Sequence, residues 1–182
     1  MDGTDRSRAE AQDIEALQDA FPVEWREPPL GWDALRVWEN EQGVVLPEPY
    51  RTFIAETANG SSLGPPEDGG LLPLGWLPPY WPDQDQPRDP AAEFPLDRSW
   101  IWEDDERGYQ ALAPIVHAVY NHGSVVLGAE DGPMYWLLAV TGPSRGKVWL
   151  VADVGAHLYP QDPGIGFTDW VRRWQDRDGW WD

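Results

Sequence analysis

A chain of 182 residues has room for one hydrophobic core and little more, because a domain of about 150 residues buries only about 70% of its unfolded surface. Its formal charge of -19, from 32 Asp+Glu against 13 Lys+Arg, repels nucleic-acid phosphates and anionic lipid while accelerating encounter with a basic partner. There is no cysteine, which excludes disulfides, thiolate catalysis and Cys-containing zinc sites.

Hydrophobic residues make up 41% of the chain, with 13 Trp, 6 Tyr and 4 Phe, so a packed globule built largely on aromatic rings is expected. Residues 1–21 are charged throughout and lack the apolar stretch of a secretory leader. No run approaches the ~18 apolar residues of a membrane span. A cytoplasmic protein with no membrane partner is the resulting expectation.

In chain order, the spacing of Ile14, Leu17 and Phe21 predicts a helix over 6–21, stopped by Pro22. A second helix is predicted over 32–42, with Leu35 and Trp38 on one face and Gly43 as its left-handed terminator. A third, over 47–58, places Tyr50, Phe53, Ile54 and Thr57 on one stripe, with prolines at its start and Asn59-Gly60 at its end. Prolines and paired glycines then break the pattern over 61–110, leaving short strands at 71–76 and 99–102. A loop of that length needs anchoring, and Trp76, Tyr80, Trp81, Phe94, Trp100 and Trp102 are expected to pin it to the core. Strands follow at 124–127, 134–141 and 147–152, the last two joined as a hairpin through 142–146. The spacing of Phe167, Trp170, Val171 and Trp174 predicts a final helix over 166–176. Helices, then strands, then a helix imply an α+β fold whose sheet is antiparallel, with a mixed sheet as the alternative. All of 1–182 is read as one domain, elaborated by a loop rich in Pro, Trp and acid at about 61–110.

Glu39, Gly43, Leu46-Pro47, Tyr50, Phe53 and Asn59-Gly60 form the run E-x3-G-x2-LP-x2-Y-x2-F-x5-NG, which resembles the signature of the SUKH superfamily of bacterial immunity proteins and fungal cell-wall-synthesis regulators. The segment YWLLAVTGPSRGKVW over 135–149 resembles the paired strands of actinobacterial-type members, and Phe167-x2-Trp170-x3-Trp174 resembles their terminal helix. The resemblance implies a SUKH-like sheet flanked by N-terminal helices and a C-terminal helix. It also implies a protein that binds a partner and is not an enzyme, with no catalytic residues and no cofactor. Bacterial members neutralise polymorphic toxins by binding them, many of the toxins being nucleases. A regulatory or scaffold role with an endogenous protein partner is the alternative, and a carbohydrate-binding module ranks behind both. The motif residues themselves read as structural: Leu46, Tyr50 and Phe53 seat a helix on the sheet, and Gly43 and Gly60 supply positive φ.

Other constellations have plainer readings. Gly142-Pro143-Ser144-Arg145-Gly146 matches G-x-S-x-G, with Asp153 and His157 following, yet a nucleophile elbow requires a helix where a strand is predicted here. No two of His117, His122 and His157 have the spacing of a helical zinc site. Glu103-Asp104-Asp105-Glu106 lacks the spaced ligands and turn glycine of a calcium loop. No metal site is therefore expected.

The residues 83–106 hold nine acids and two arginines, a net of -7. That concentration makes Trp81, Asp83, Asp85, Trp100, Trp102, Glu103, Asp104, Asp105 and Glu106 the candidate partner-binding residues. Carboxylates would steer a basic toxin domain inward and the rings would anchor it.

Overall fold

Strands that are apolar at nearly every position need cover on both faces, and the architecture supplies it. The computed structural model describes residues 8–66, 69–82 and 84–176. Five strands, β1 (Trp100–Ile101), β2 (Ser124–Glu130), β3 (Met134–Ala139), β4 (Val148–Ala152) and β5 (Gly155–Leu158), form one sheet in the order β1-β5-β4-β3-β2. Every neighbouring pair is antiparallel.

Alternation along the strands divides the sheet's side chains between two cores. Val125, Leu127, Trp136, Leu138 and Val148 face one layer, built from α1 (Ala11–Ala20), α2 (Trp32–Gln42), α3 (Tyr50–Glu56) and α5 (Phe167–Asp176). Val126, Tyr135, Leu137, Trp149, Val151 and Leu158 face a second layer, built from the long loop and α4 (Tyr109–Asn121). The structure is thus α+β with an antiparallel sheet. Among the described residues no helix is long and apolar enough to cross a membrane.

The motif residues take structural positions. Gly43 ends α2 at φ 71°, in the left-handed region. Glu39 is buried on the last turn of α2, where its Oε1 accepts the Leu46 N–H at 3.0 Å and the Arg51 Nε at 2.7 Å, while Oε2 accepts from the other arm of Arg51 at 3.0 Å. This two-armed ion pair bolts α2 to α3 and holds the connection between them. The Asn59 side chain accepts the Leu74 N–H at 2.8 Å, and Gly60, at φ 103°, lies so close to the Leu71 carbonyl and the Pro73 nitrogen that a Cβ would sit 3.0 Å from each. Tyr50, Phe53 and Trp170 are fully buried, whereas Trp174 is half-buried with its ring edge-on to Trp25 at 6.3 Å.

Several elements differ from the sequence reading. α3 starts at Tyr50 and not at 47, because a residue that precedes proline is pushed out of the helical region and both Leu46 and Glu48 precede one. Glu48 instead accepts the Thr52 N–H at 3.1 Å, satisfying an amide that a helix start leaves free. The first helix runs over Ala11–Ala20 with Glu10 as its N-cap, so residues 8–10, predicted as helix, are not helical, and residues 1–7 lie outside the described residues. The segment 71–76 is not a strand, although the Leu72 N–H bonds the Leu127 carbonyl at the β2 edge. β5 and α4 are additions. α4 carries Pro114 inside it, and a proline within a run reads in the sequence as the end of a helix.

Candidate partner-binding surface

The long loop lies across the second face of the sheet and is held there by its rings. Trp81 packs edge-on against Tyr120 at 5.5 Å and Tyr135 at 4.9 Å, while Phe94 is tilted against Trp149 at 5.1 Å and Trp102 against Tyr120 at 6.3 Å. Polar contacts fix the path between them. Arg88 donates to the carbonyls of Tyr120, at the end of α4, and Ser124, at the start of β2, at 3.0 and 2.9 Å, and lies over the Trp81 ring. Burial lowers its pKa to about 10, which leaves it charged at neutral pH. Phe94 N–H donates to Thr141 Oγ1 at 3.0 Å and Leu158 N–H to Ser99 Oγ at 2.9 Å.

These contacts correct the sequence reading of the site. Trp81 and Trp102 are buried, and the Trp102 indole N–H donates to the Asp153 carbonyl, so both are core residues and not surface anchors. Trp100 is half-buried against Trp102. Asp83 lies outside the described residues, and Asp85 is exposed. Among the described residues the exposed aromatic rings are others: Trp76 at 64%, Tyr80 at 83% and Tyr109 at 84%.

The acidic run divides by role. Asp105 closes a clasp, its Oδ2 accepting the Trp100 indole N–H at 3.1 Å and an Arg107 guanidinium N–H at 2.7 Å, while Oδ1 takes the Arg107 backbone N–H at 3.1 Å. The Arg107 side chain, its backbone amide and the Trp100 N–H hold the Asp105 carboxyl well below the usual carboxylate range. Glu103 N–H donates to the Val154 carbonyl at 3.2 Å, tying the run to the β4–β5 turn. Glu103, Asp104 and Glu106 are exposed and make no ion pair among the described residues. The neighbouring arginines are already committed, Arg88 to carbonyls, Arg98 to Asp97 and Arg107 to Asp105. Negative charge is therefore displayed on a rigid turn, and little of its geometry has to be ordered on binding.

Ser144 sits in the turn between β3 and β4, buried, with its hydroxyl donating to the Leu96 carbonyl at 2.7 Å. A strand follows it, which is the wrong context for a nucleophile elbow. Ser144→Ala is accordingly expected to leave any trace hydrolysis of generic esters unchanged; activity abolished by that substitution would make Ser144 a nucleophile. His117 and His122 meet edge to face at 6.1 Å. No group of three or more potential metal ligands comes together among the described residues.

A sequence signal for the missed part of this surface does exist. Residues 108–129 contain no Asp, Glu, Lys or Arg in a chain that is 25% charged, and they begin immediately after the acidic run. Comparison with protein-family models, curated proteins and solved structures finds no match to this chain.

Proposed function

We propose that this chain is a cytoplasmic, non-catalytic binding protein of the SUKH immunity type, which neutralises a basic toxin domain by occupying it with the acidic surface around residues 85–106. The observation that carries the reading is the set Glu103, Asp104 and Glu106, unpaired carboxylates on a turn locked by Trp102 and Asp105. Such an arrangement draws in a basic partner through long-range attraction and loses little conformational entropy on contact. The -19 charge acts in the same direction.

Attraction of this kind is screened over about 8 Å at physiological ionic strength, so association with a basic partner is expected to slow steeply as salt rises while dissociation changes little. The test is binding kinetics against an inactivated toxin domain encoded beside this gene, at several salt concentrations. The triple variant Glu103→Gln, Asp104→Asn and Glu106→Gln, with Asp105 left intact to keep the clasp, should associate roughly tenfold more slowly at low salt and lose most of the salt dependence. Unchanged rates and an unchanged salt slope in that variant would show that the acidic turn is only a solvated surface.

A further inference from the structure

A helix that is apolar all round is normally buried all round. α4 carries no charged residue, its polar side chains being Gln110, His117 and Asn121, yet only Val119, Tyr120 and Asn121 in it are buried. Val119 and Tyr120 are buried in the second core and Val116 packs against it. On the opposite side, Ala111, Pro114, Ile115 and Ala118 follow the i, i+3, i+4, i+7 spacing of a single helical stripe. Ala111 and Pro114 are exposed, Ile115 and Ala118 are half-buried, and Ile115 is not among the residues packed against either core. Tyr109, at the start of the same helix, is almost wholly exposed.

The charge around this stripe says what fits it. In the chain the helix follows Glu103, Asp104 and Glu106 after Arg107 and Gly108, and Asp153 is exposed on the β4–β5 turn on the Tyr120 side of the helix, where the Ala152 carbonyl at the end of β4 accepts the Tyr120 hydroxyl at 2.9 Å. Arg107, which precedes the helix, is paired to Asp105, and Arg88 is committed to the Tyr120 and Ser124 carbonyls. An apolar centre with a polar border is the usual anatomy of a protein interface, and the unpaired charge that leads into this stripe is negative. A second copy of this chain fits poorly, since each copy brings the same carboxylates and a total charge of -19.

We propose that the outward stripe of α4, Ala111, Pro114, Ile115 and Ala118 with Tyr109 at its end, is the apolar centre of the interface with a basic protein domain. The inference rests on the binding role proposed above and adds the surface that sets how long the complex lasts. Carboxylates govern arrival, and the stripe governs release.

The test uses the full chain and the same inactivated toxin domain, with neutral substitutions that leave the electrostatics untouched: Ala111→Gln, at an exposed position that costs the helix little, and separately Ile115→Gln. Each variant is expected to dissociate at least tenfold faster than the parent chain, with its association rate and salt slope unchanged and, for Ala111→Gln, an unchanged thermal midpoint. The complex should also slow amide hydrogen exchange in α4. Parent-like dissociation in both variants overturns the inference while leaving the binding role standing, provided the triple amide variant still loses its salt dependence. Absence of any complex with the parent chain overturns both. Sedimentation showing a dimer of the parent chain that Ala111→Gln disrupts would assign the stripe to a second copy and overturn the inference as well.

Discussion

Replacing Arg51 with Met is expected to cost about 3–5 kcal/mol of folding stability, because it leaves the Glu39 carboxylate buried without its counter-charge. The substitution removes both arms of the pair and the cation that lies 5.2 Å from the Trp32 ring, while Glu39 keeps only the Leu46 N–H among those three bonds. A protein of this size loses about 2–4 °C of thermal midpoint per kcal/mol, so a drop on the order of 10 °C should accompany the change. The partner substitution identifies the cause. Glu39→Gln combined with Arg51→Met keeps an acceptor for Leu46 but removes the stranded charge, and the double variant should recover most of the loss. Urea unfolding of the parent and the variants checks this; a loss under ~1 kcal/mol for Arg51→Met would mean that water reaches the pair in solution.

Truncating Phe53 is expected to be equally severe. Its ring is fully buried where three helices converge, 5.2 Å from Phe21 at the end of α1 and 5.5 Å from Phe167 at the start of α5. Phe53→Ala removes a large apolar side chain from a site whose neighbours belong to separate helices and cannot easily close the gap, at a cost of about 3–5 kcal/mol. Because Phe53 and Phe167 touch, Phe53→Ala and Phe167→Ala should not add: the double variant is expected to be more stable than the sum of the singles by about 0.5–3 kcal/mol. Denaturant midpoints for the four proteins of that cycle measure the coupling. Additive losses, or a Phe53→Ala cost below ~1 kcal/mol, would place the ring outside this junction.

These effects fall in the first core and leave the proposed interface untouched. The triple amide variant, Ala111→Gln and Ile115→Gln act on the second layer, on positions exposed or half-exposed in the structure. Stability and binding should therefore respond to separate sets of substitutions. Trp102 belongs with the first kind of effect, since its buried ring and its bond to the Asp153 carbonyl hold the turn that carries the carboxylates.

What was legible in the sequence is what local physics determines. The α2 and α5 helices, the stripe of α3 and the β3–β4 hairpin announce themselves through periodicity and through terminators such as Gly43 and Asn59-Gly60. The α+β class follows from their order, and the concentration of acid at 103–106 is plain from composition alone. The uncharged run that becomes α4 is visible only as composition, because Pro114 inside it reads as a break in a helical pattern. Tertiary structure decided the rest. Trp81, Tyr80 and Trp102 are alike in the sequence as rings beside acids or prolines, yet Trp81 and Trp102 fill the space beneath the loop while Tyr80 stands in solvent. Asp105 and Glu106 are adjacent carboxylates, but the first is consumed by Trp100 and Arg107 and the second is left free. Burial and pairing depend on which distant segment arrives to cover a side chain, and a residue's own neighbours along the chain do not contain that information.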